Sequence, residues 1–424
     1  MKYFSYIGKL SLLNRLAFYS LLGSSAFTII LWSPNILGKH LGHWTKVYIH
    51  IFPLVIVFLA YSWQVVTSRK HRLVIILMVS IIILGIVNVV LSDEVSRSIP
   101  EMRIFLVTGI FGLWPSMFLI NTGHRRQVFD WFCCGCLAII VPVEIIFWLI
   151  GNYYSSFQIF TLHPIPLGTL IILLSPGPIH LLVSKSFKVN LFSLLLVSSS
   201  LMLIFVTHKR STWIALTVML VLAIVFLTRR RRCLLATLLV VAALILSVQA
   251  KRFYDRLDPS VNRYASVLQR VELYNFALHI WETHPLMGIG LRPLTHARYL
   301  KDYHQYNKNL IDFSQSVAKL QTLDNMVLTA IVELGSLMTL AYLGLVIVIM
   351  VRYGRALWST PATSFTDWYR MLVLVGLAIH SMSYDSLLFP PVNWIFHIQL
   401  GIMAGYQTAE KALGSEAGLR HVIT

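Results

Sequence analysis

Residues 207–250, THKRSTWIALTVMLVLAIVFLTRRRRCLLATLLVVAALILSVQA, hold two apolar runs, 211–228 and 233–250, separated by Arg229-Arg230-Arg231-Arg232. A helix of about 20 apolar residues bonds its own backbone and matches the thickness of a bilayer's hydrocarbon core. The four arginines cannot rest in that core, and basic clusters in short loops stay on the cytoplasmic side. The stretch therefore predicts a helical hairpin with its turn inside. It also places Thr207-His208-Lys209-Arg210 on the opposite side.

Runs of similar length recur on both sides, at about 15–37, 44–66, 73–92, 104–121, 128–150, 158–184 and 189–207 before the hairpin. After it come 326–351, 367–384 and 386–407, about twelve spans in all. A 424-residue chain that is 57% hydrophobic and 12% charged, with mean hydropathy +0.73, has no plausible reading as a soluble domain of this size. The expected fold is all-α, a polytopic membrane helix bundle with one large periplasmic loop. Its parts are 1–250, the first nine spans; 251–325, the loop domain; and 326–424, the last three spans and a cytoplasmic tail. Lys2, Lys9 and Arg15 precede a full-length span, so no cleavable signal peptide is expected.

Charges alternate with the spans. The inner side receives Arg69-Lys70-His71-Arg72, Arg125-Arg126, Lys185 and Lys188, Arg229–Arg232, Arg352, Arg355 and Arg370, and the tail with Lys411 and Arg420. The formal net charge of +18 thus arises largely from topology signals and does not point to nucleic acid. Cys133, Cys134, Cys136 and Cys233 fall inside spans and read as small buried hydrophobes. The long loop has no cysteine, so neither a disulfide nor a thiolate metal site is expected there.

That loop, 251–325, carries ten Lys or Arg, seven Asp or Glu and four His. Arg263 to Glu282 reads as an amphipathic helix with Val267, Val271, Tyr274, Leu278 and Trp281 on its apolar face. His284-Pro285 ends it, and Gly288-Ile289-Gly290 turns the chain. Such a helix, lying on the membrane face, suits a lid or wall of an outward-opening site. Arg292–Lys319 shows no clear period. No internal repeat or nucleotide-binding glycine motif is present.

Three groups on the outer side carry chemistry. Arg210, with His208 and Lys209, sits at a helix start, where free N–H groups and a guanidinium fork together suit a phosphate. Arg270 lies on the loop helix near Tyr274. Leu323-Asp324-Asn325 precedes a span that continues to Glu333-Leu334-Gly335; Asp324 suits a general base, and it equally suits the helix N-cap. Glu144, inside the fifth span, is either a functional ionisable group or a polar contact between helices. Asp385, in the turn Tyr384-Asp385-Ser386, opens outward.

Taken in order, Thr207-x-x-Arg210-Ser211, Arg270 through His284-Pro285-Leu286-x-Gly288-x-Gly290, and Asp324-Asn325-x-x-Leu328 with Glu333-x-Gly335 resemble the motifs of the O-antigen ligase and polymerase superfamily. These are integral-membrane glycosyltransferases of the bacterial envelope, and the resemblance is concentrated in about 205–345. It implies a metal-independent enzyme of the bacterial inner membrane that needs no cofactor, with its site facing the periplasm. The implied donor is a glycan on undecaprenyl pyrophosphate. The implied acceptor is a growing glycan or lipid A-core, with membrane lipids as the other partners.

By the same resemblance Arg210 and Arg270 hold the diphosphate and Asp324 is the base. His208, Lys209, Asn325 and Tyr274 are expected to bind substrate around them. His284, Arg292 and Asp385 complete that set. The family's ligases usually carry His where this chain has Asp324, which favours a polymerase or a divergent ligase; His208, His284 and His296 are the other available bases. A lipid-linked sugar transporter and a non-catalytic assembly subunit are the alternative readings. A transporter would line a midplane path with polar groups, whereas this sequence gathers them at one face.

Overall fold

A computed structural model describes residues 2–31, 71–149, 164–182, 187–206, 210–226, 262–291, 323, 325–359, 364–382 and 384–406. Among them the chain is helical, with no strand. The helices are α1 (Lys2–Ala26), continued by a π-helical turn over Phe27–Leu31, α2 (Arg72–Leu91), α3 (Val95–Leu119) and α4 (Gly123–Leu149). Next come α5 (Pro164–Leu174), α6 (Pro176–Leu182), α7 (Phe187–Val206), α8 (Arg210–Phe226) and α9 (Asn262–Thr283). The last three are α10 (Met326–Trp358), α11 (Phe365–Ser381) and α12 (Pro390–Ala404), with a 3-10 turn at Ser386–Leu388 before α12. Arg72–Leu91, Val95–Leu119, Gly123–Ile146 and Met326–Trp358 are long and apolar enough to cross a bilayer, and the chain is a multi-pass membrane protein. The expected spans at 44–66 and 233–250, with Cys233, lie outside the described residues.

α2 shows how such helices sort their faces. Val74, Met78, Ile81, Gly85 and Asn88, at alternating steps of four and three, form its buried stripe against α10. Ile76, Ile83, Ile86 and Val90 point outward and stay exposed. In lipid that exposure costs nothing, so helix association rests on close packing rather than on apolar burial. α3 and α12 meet through glycines: a Cβ on Gly112 would lie 3.1 Å from the Trp394 carbonyl, and one on Gly109 3.2 Å from the His397 ring. Trp394 Nε1 donates to Ser25 Oγ at 2.9 Å, which ties α12 to α1.

Two helices are broken. The run 158–184, expected as one span, divides at Ser175 because Pro176 and Pro178 bring no N–H. The break is sealed by side chains: Gln399 Nε2 donates to the Leu173 carbonyl at 3.0 Å, and Ser193 Oγ donates to that of Pro178. α10 breaks at Gly335, whose φ is +78°. Each gap thus finds donors from its neighbours, as backbone inside a membrane protein must.

The bundle has two ends. Arg72, Arg125, Arg126, Lys188, Arg352 and Arg355 mark the basic end. Arg370, which the sequence reading counts with these loop charges, is instead 1% exposed on the second turn of α11. It bonds Asp130 of α4, itself 2% exposed, and donates through Nη1 to Gln399 Oε1 of α12 at 2.9 Å. His180 of α6 stands 3.8 Å from Asp130, while Arg126 Nε lies 3.9 Å from Asp367. Tyr353 of α10 donates its hydroxyl to the Asp367 carbonyl at 3.0 Å. One buried network thereby joins α4, α6, α10, α11 and α12. Cys133, Cys134 and Cys136 are free thiols buried in α4 nearby, as small hydrophobes are.

Candidate active site at the opposite end

α8 begins at Arg210, so its unbonded first-turn N–H groups lie at the end away from the basic residues. One residue past Ser211, Thr212 Oγ1 is 3.1 Å from His380 Nε2, and His380 Nδ1 is 3.3 Å from Thr169 Oγ1. Beside it a Cβ on Gly168 would come within 2.8 Å of Thr212. α5, α8 and α11 are therefore pinned together where α8 starts. The His380 ring stands 5.5 Å from that of Tyr384, which leads directly to Asp385.

Asp385 is 4% exposed and accepts from Thr329 Oγ1, in the first turn of α10, at 2.9 Å. The cap of α10 is Asn325: its side-chain oxygen accepts from Val327 N at 3.0 Å and Leu328 N at 3.2 Å. Capping by Asp324, which the sequence left open, is thus not what the helix uses. Asp324 itself lies outside the described residues, flanked by Leu323 and Asn325. Thr329 N also bonds the Asn325 carbonyl at 2.9 Å, so Asp385 sits one helical turn from the cap.

α9 matches the expected helix to within a residue at each end, but its buried face differs. Leu273, Phe276, Ala277 and Ile280 pack with Ile289, Leu323 and Val332, while Val271 and Leu278 are exposed. The expected stripe failed because α9 carries apolar residues on two sides, and periodicity alone does not choose between them. Tyr274 and Trp281 are half-buried at the edge of the cluster. The cluster holds Leu323 and Leu328, and Trp281 Nε1 donates to Ser336 Oγ at 2.8 Å. α9 therefore packs along the start of α10. Arg270 lies in the helix one turn before Leu273.

The segment after α9 fastens this arrangement. Ile289 N and Gly290 N donate to the Val332 and Glu333 carbonyls, both at 3.0 Å. In return Ser336 N and Leu337 N donate to the Pro285 and Leu286 carbonyls at 3.1 and 3.2 Å. These are the groups that the break at Gly335 frees, so the loop replaces the missing helix turn. Gly288 and Gly335, both at positive φ, touch back to back: a Cβ on either would come within 2.5 Å of the other's backbone nitrogen. The His284-Pro285-Leu286-x-Gly288-x-Gly290 and Glu333-x-Gly335 motifs thus form a single structural clamp. His284 Nδ1 is 2.8 Å from Thr283 Oγ1, within its own turn. His208, Lys209 and Arg292 lie outside the described residues.

A cavity of about 320 Å³ opens along α10 and α11, walled by Met326, Val327, Ala330, Tyr342, Leu377 and Met382 and floored by Phe105 and Phe396. Its lining is almost wholly apolar, and Val327 and Met382 are exposed at the flank of the bundle. One extremity of the groove reaches Met326, next to the Asn325 cap.

Residues 194–343 match the O-antigen ligase family model. The matched domain contains α8, α9, the clamp and the start of α10, and it is consistent with the O-antigen ligase and polymerase superfamily. It supports a function of that type and implies glycosyltransferase-like activity. No curated protein matches the chain. The matched region is held from outside its own limits by Asn88, Ser92 and Ser98 on one flank and by His380 and Asp385 on the other. Of these, only Asp385 was singled out from the sequence. The available sign was polarity out of place: Asn88 interrupts an otherwise apolar stripe, and His380 lies within a span. Glu144 is 4% exposed on α4, and its Oε1 meets no partner among the described residues.

Proposed function

We propose that the chain transfers a glycan from undecaprenyl pyrophosphate to an acceptor hydroxyl, on a growing glycan or on lipid A-core, at the periplasmic face of the bacterial inner membrane. The apolar groove that reaches Met326, the residue after the Asn325 cap, carries the reading, because a lipid-linked donor must keep its hydrocarbon in the membrane while its diphosphate reaches a polar end. A freely soluble sugar donor would have no use for such a groove.

Arg210, at the first turn of α8, and Arg270, on α9, bind the diphosphate in this reading. The acceptor oxygen attacks the anomeric carbon, and the electron pair of the breaking C–O bond passes to the diphosphate. Charge on that leaving group grows along the path, so fixed guanidinium groups favour the transition state over the ground state. Asp324 takes the hydroxyl proton as the new bond forms. The products are the extended acceptor and undecaprenyl pyrophosphate. The arginines supply the positive charge, and the step as written uses no metal.

The test is product formation by purified protein from a lipid-linked glycan with two acceptors in parallel, lipid A-core and a second lipid-linked glycan. Arg210→Ala and Arg270→Ala are each expected to lower turnover roughly a hundredfold, for about 3 kcal/mol of lost transition-state stabilisation. No product from the wild type with either acceptor, or near wild-type turnover by either variant, overturns the assignment. The acceptor that is consumed separates polymerase from ligase.

A further inference from the structure

Asn88 is the one polar residue on the buried stripe of α2, and its side chain reaches both halves of the clamp. The amide nitrogen donates to the Glu333 carbonyl at 2.8 Å and to the Met287 carbonyl. Glu333 belongs to the broken helix α10, and Met287 belongs to the loop that closes the break. A turn later Ser92 Oγ donates to the Ile289 carbonyl at 2.9 Å and shares a hydrogen bond with Ser98 Oγ at 2.7 Å. Gly290 approaches so closely that a Cβ there would sit 2.1 Å from Ser92 Oγ. The orientation of the amide is settled by its surroundings: turned over, its oxygen would face two carbonyls. Only a donor with two N–H groups satisfies both acceptors from one position.

We infer that Asn88 is a positioning residue, which sets the tilt of α9 against α10 and, on the reading of function given above, the reach of Arg270 toward the donor diphosphate. Arg270 lies fourteen residues before His284, a lever of roughly 20 Å along the helix. A tilt of about 5° at the clamp moves that position by roughly 2 Å, and misplacement by about 1 Å is enough to cost a hundredfold in rate. Asn88 touches no reacting atom; it acts through the loop and the helix break. Neither of its two carbonyl partners belongs to α2, so losing the amide releases the clamp without opening α2 itself.

The experiment pairs a distance measurement with kinetics. Spin labels go on Val271→Cys in α9, about 20 Å along the helix from His284, and Leu340→Cys in α10 past the break, both exposed, in full-length protein whose four native cysteines are replaced by alanine. Asn88→Leu keeps the volume and removes the donors, Asn88→Asp keeps the shape and replaces the amide with a carboxylate, and Ser92→Ala weakens the same clamp from one turn away. The label distance should be narrow in the parent and broadened or shifted by 2 Å or more in Asn88→Leu and Asn88→Asp. kcat should fall at least tenfold with the donor KM within twofold, and Ser92→Ala should show a smaller change of the same kind. A merely structural role would instead lower the yield of folded protein and leave both the distance and the turnover per folded molecule unchanged. That outcome overturns the inference, as does an unchanged distance in Ser92→Ala should both Asn88 variants fail to fold. Absence of product from the parent sinks the proposed function alone, because the distance measurement still decides the clamp.

Discussion

Replacing Gly335 by alanine tests the clamp at its tightest point. Gly335 has φ +78° and ψ 165°, a region that residues with a Cβ occupy at a cost of about 1–3 kcal/mol. The added methyl would also lie 2.3 Å from the Leu286 carbonyl oxygen and 2.5 Å from Gly288 N. Both are backbone atoms with no rotamer by which to withdraw, and such overpacking adds about 1–3 kcal/mol. The protein can avoid the clash by undocking the loop. That route gives up the four backbone hydrogen bonds between 285–290 and 332–337, together with Trp281 to Ser336, at about 1 kcal/mol each. The two routes cost nearly the same, so the clamp should weaken by about 3–5 kcal/mol whichever is taken. Amide hydrogen exchange in detergent reads this directly at Ile289, Gly290, Ser336 and Leu337. Their protection should fall by at least a hundredfold, since about 1.4 kcal/mol is a factor of ten. Gly344→Ala in the same helix has nothing within 4 Å of its new methyl and should leave protection unchanged or slightly higher. Equal protection in Gly335→Ala and Gly344→Ala would refute the reasoning.

Further outcomes are expected at the α10 cap, at Asp324, at the buried ion pair and in the loops. Asn325→Ala should destabilise the start of α10 by about 1 kcal/mol and Asn325→Asp should be nearly silent, as seen by thermal unfolding, whereas Asp324→Asn should abolish product formation if that carboxylate takes the proton. Asp324→His should retain part of the activity if it stands where the family's ligases carry histidine. Arg370→Leu alone should cost about 3–5 kcal/mol by stranding Asp130, while combining it with Asp130→Leu should restore much of the loss, a non-additivity that a double-mutant cycle measures. Reporter fusions at residues 231 and 300 should report opposite sides of the membrane, inside for the first; a cytoplasmic signal at 300 would reverse the topology.

The parts of this fold that were legible in the sequence are those set by local physics. Apolar length marked α2, α3, α4 and α10 as spans, and the Pro-Leu-x-Gly-x-Gly string marked the turn after α9. The motif could not say what the turn is for, because its partner, Glu333-Leu334-Gly335, is distant in sequence and the pairing is made between backbones. The face of α9 was misread for a related reason: Leu273 and Val271 are equally apolar, and only contact with Leu323 and Val332 selects the first. Arg370 was placed with the loop charges because a span end drawn from hydropathy cannot distinguish an arginine at the interface from one paired beneath it. Candidate-site residues were found where their chemistry is unusual for a membrane segment. Asn88 escaped notice, since a single amide in an apolar helix is ordinary until its two acceptors are known.

The Arg370–Asp130 pair also has a history during synthesis. The two residues are separated by 240 positions, so at about 5–20 residues per second Asp130 enters the membrane roughly 10–50 seconds before its guanidinium exists. In that interval α4 carries a carboxylate that lipid penalises, held only two turns from the aqueous end at Gly123. His180, which emerges fifty residues after Asp130, is the first of its neighbours in the finished network to follow it, and Gln399 is added last. The bundle is therefore locked from its C-terminal helices backward. A nascent chain stopped before α11 would remain an open, unsealed intermediate, a ready substrate for membrane quality control.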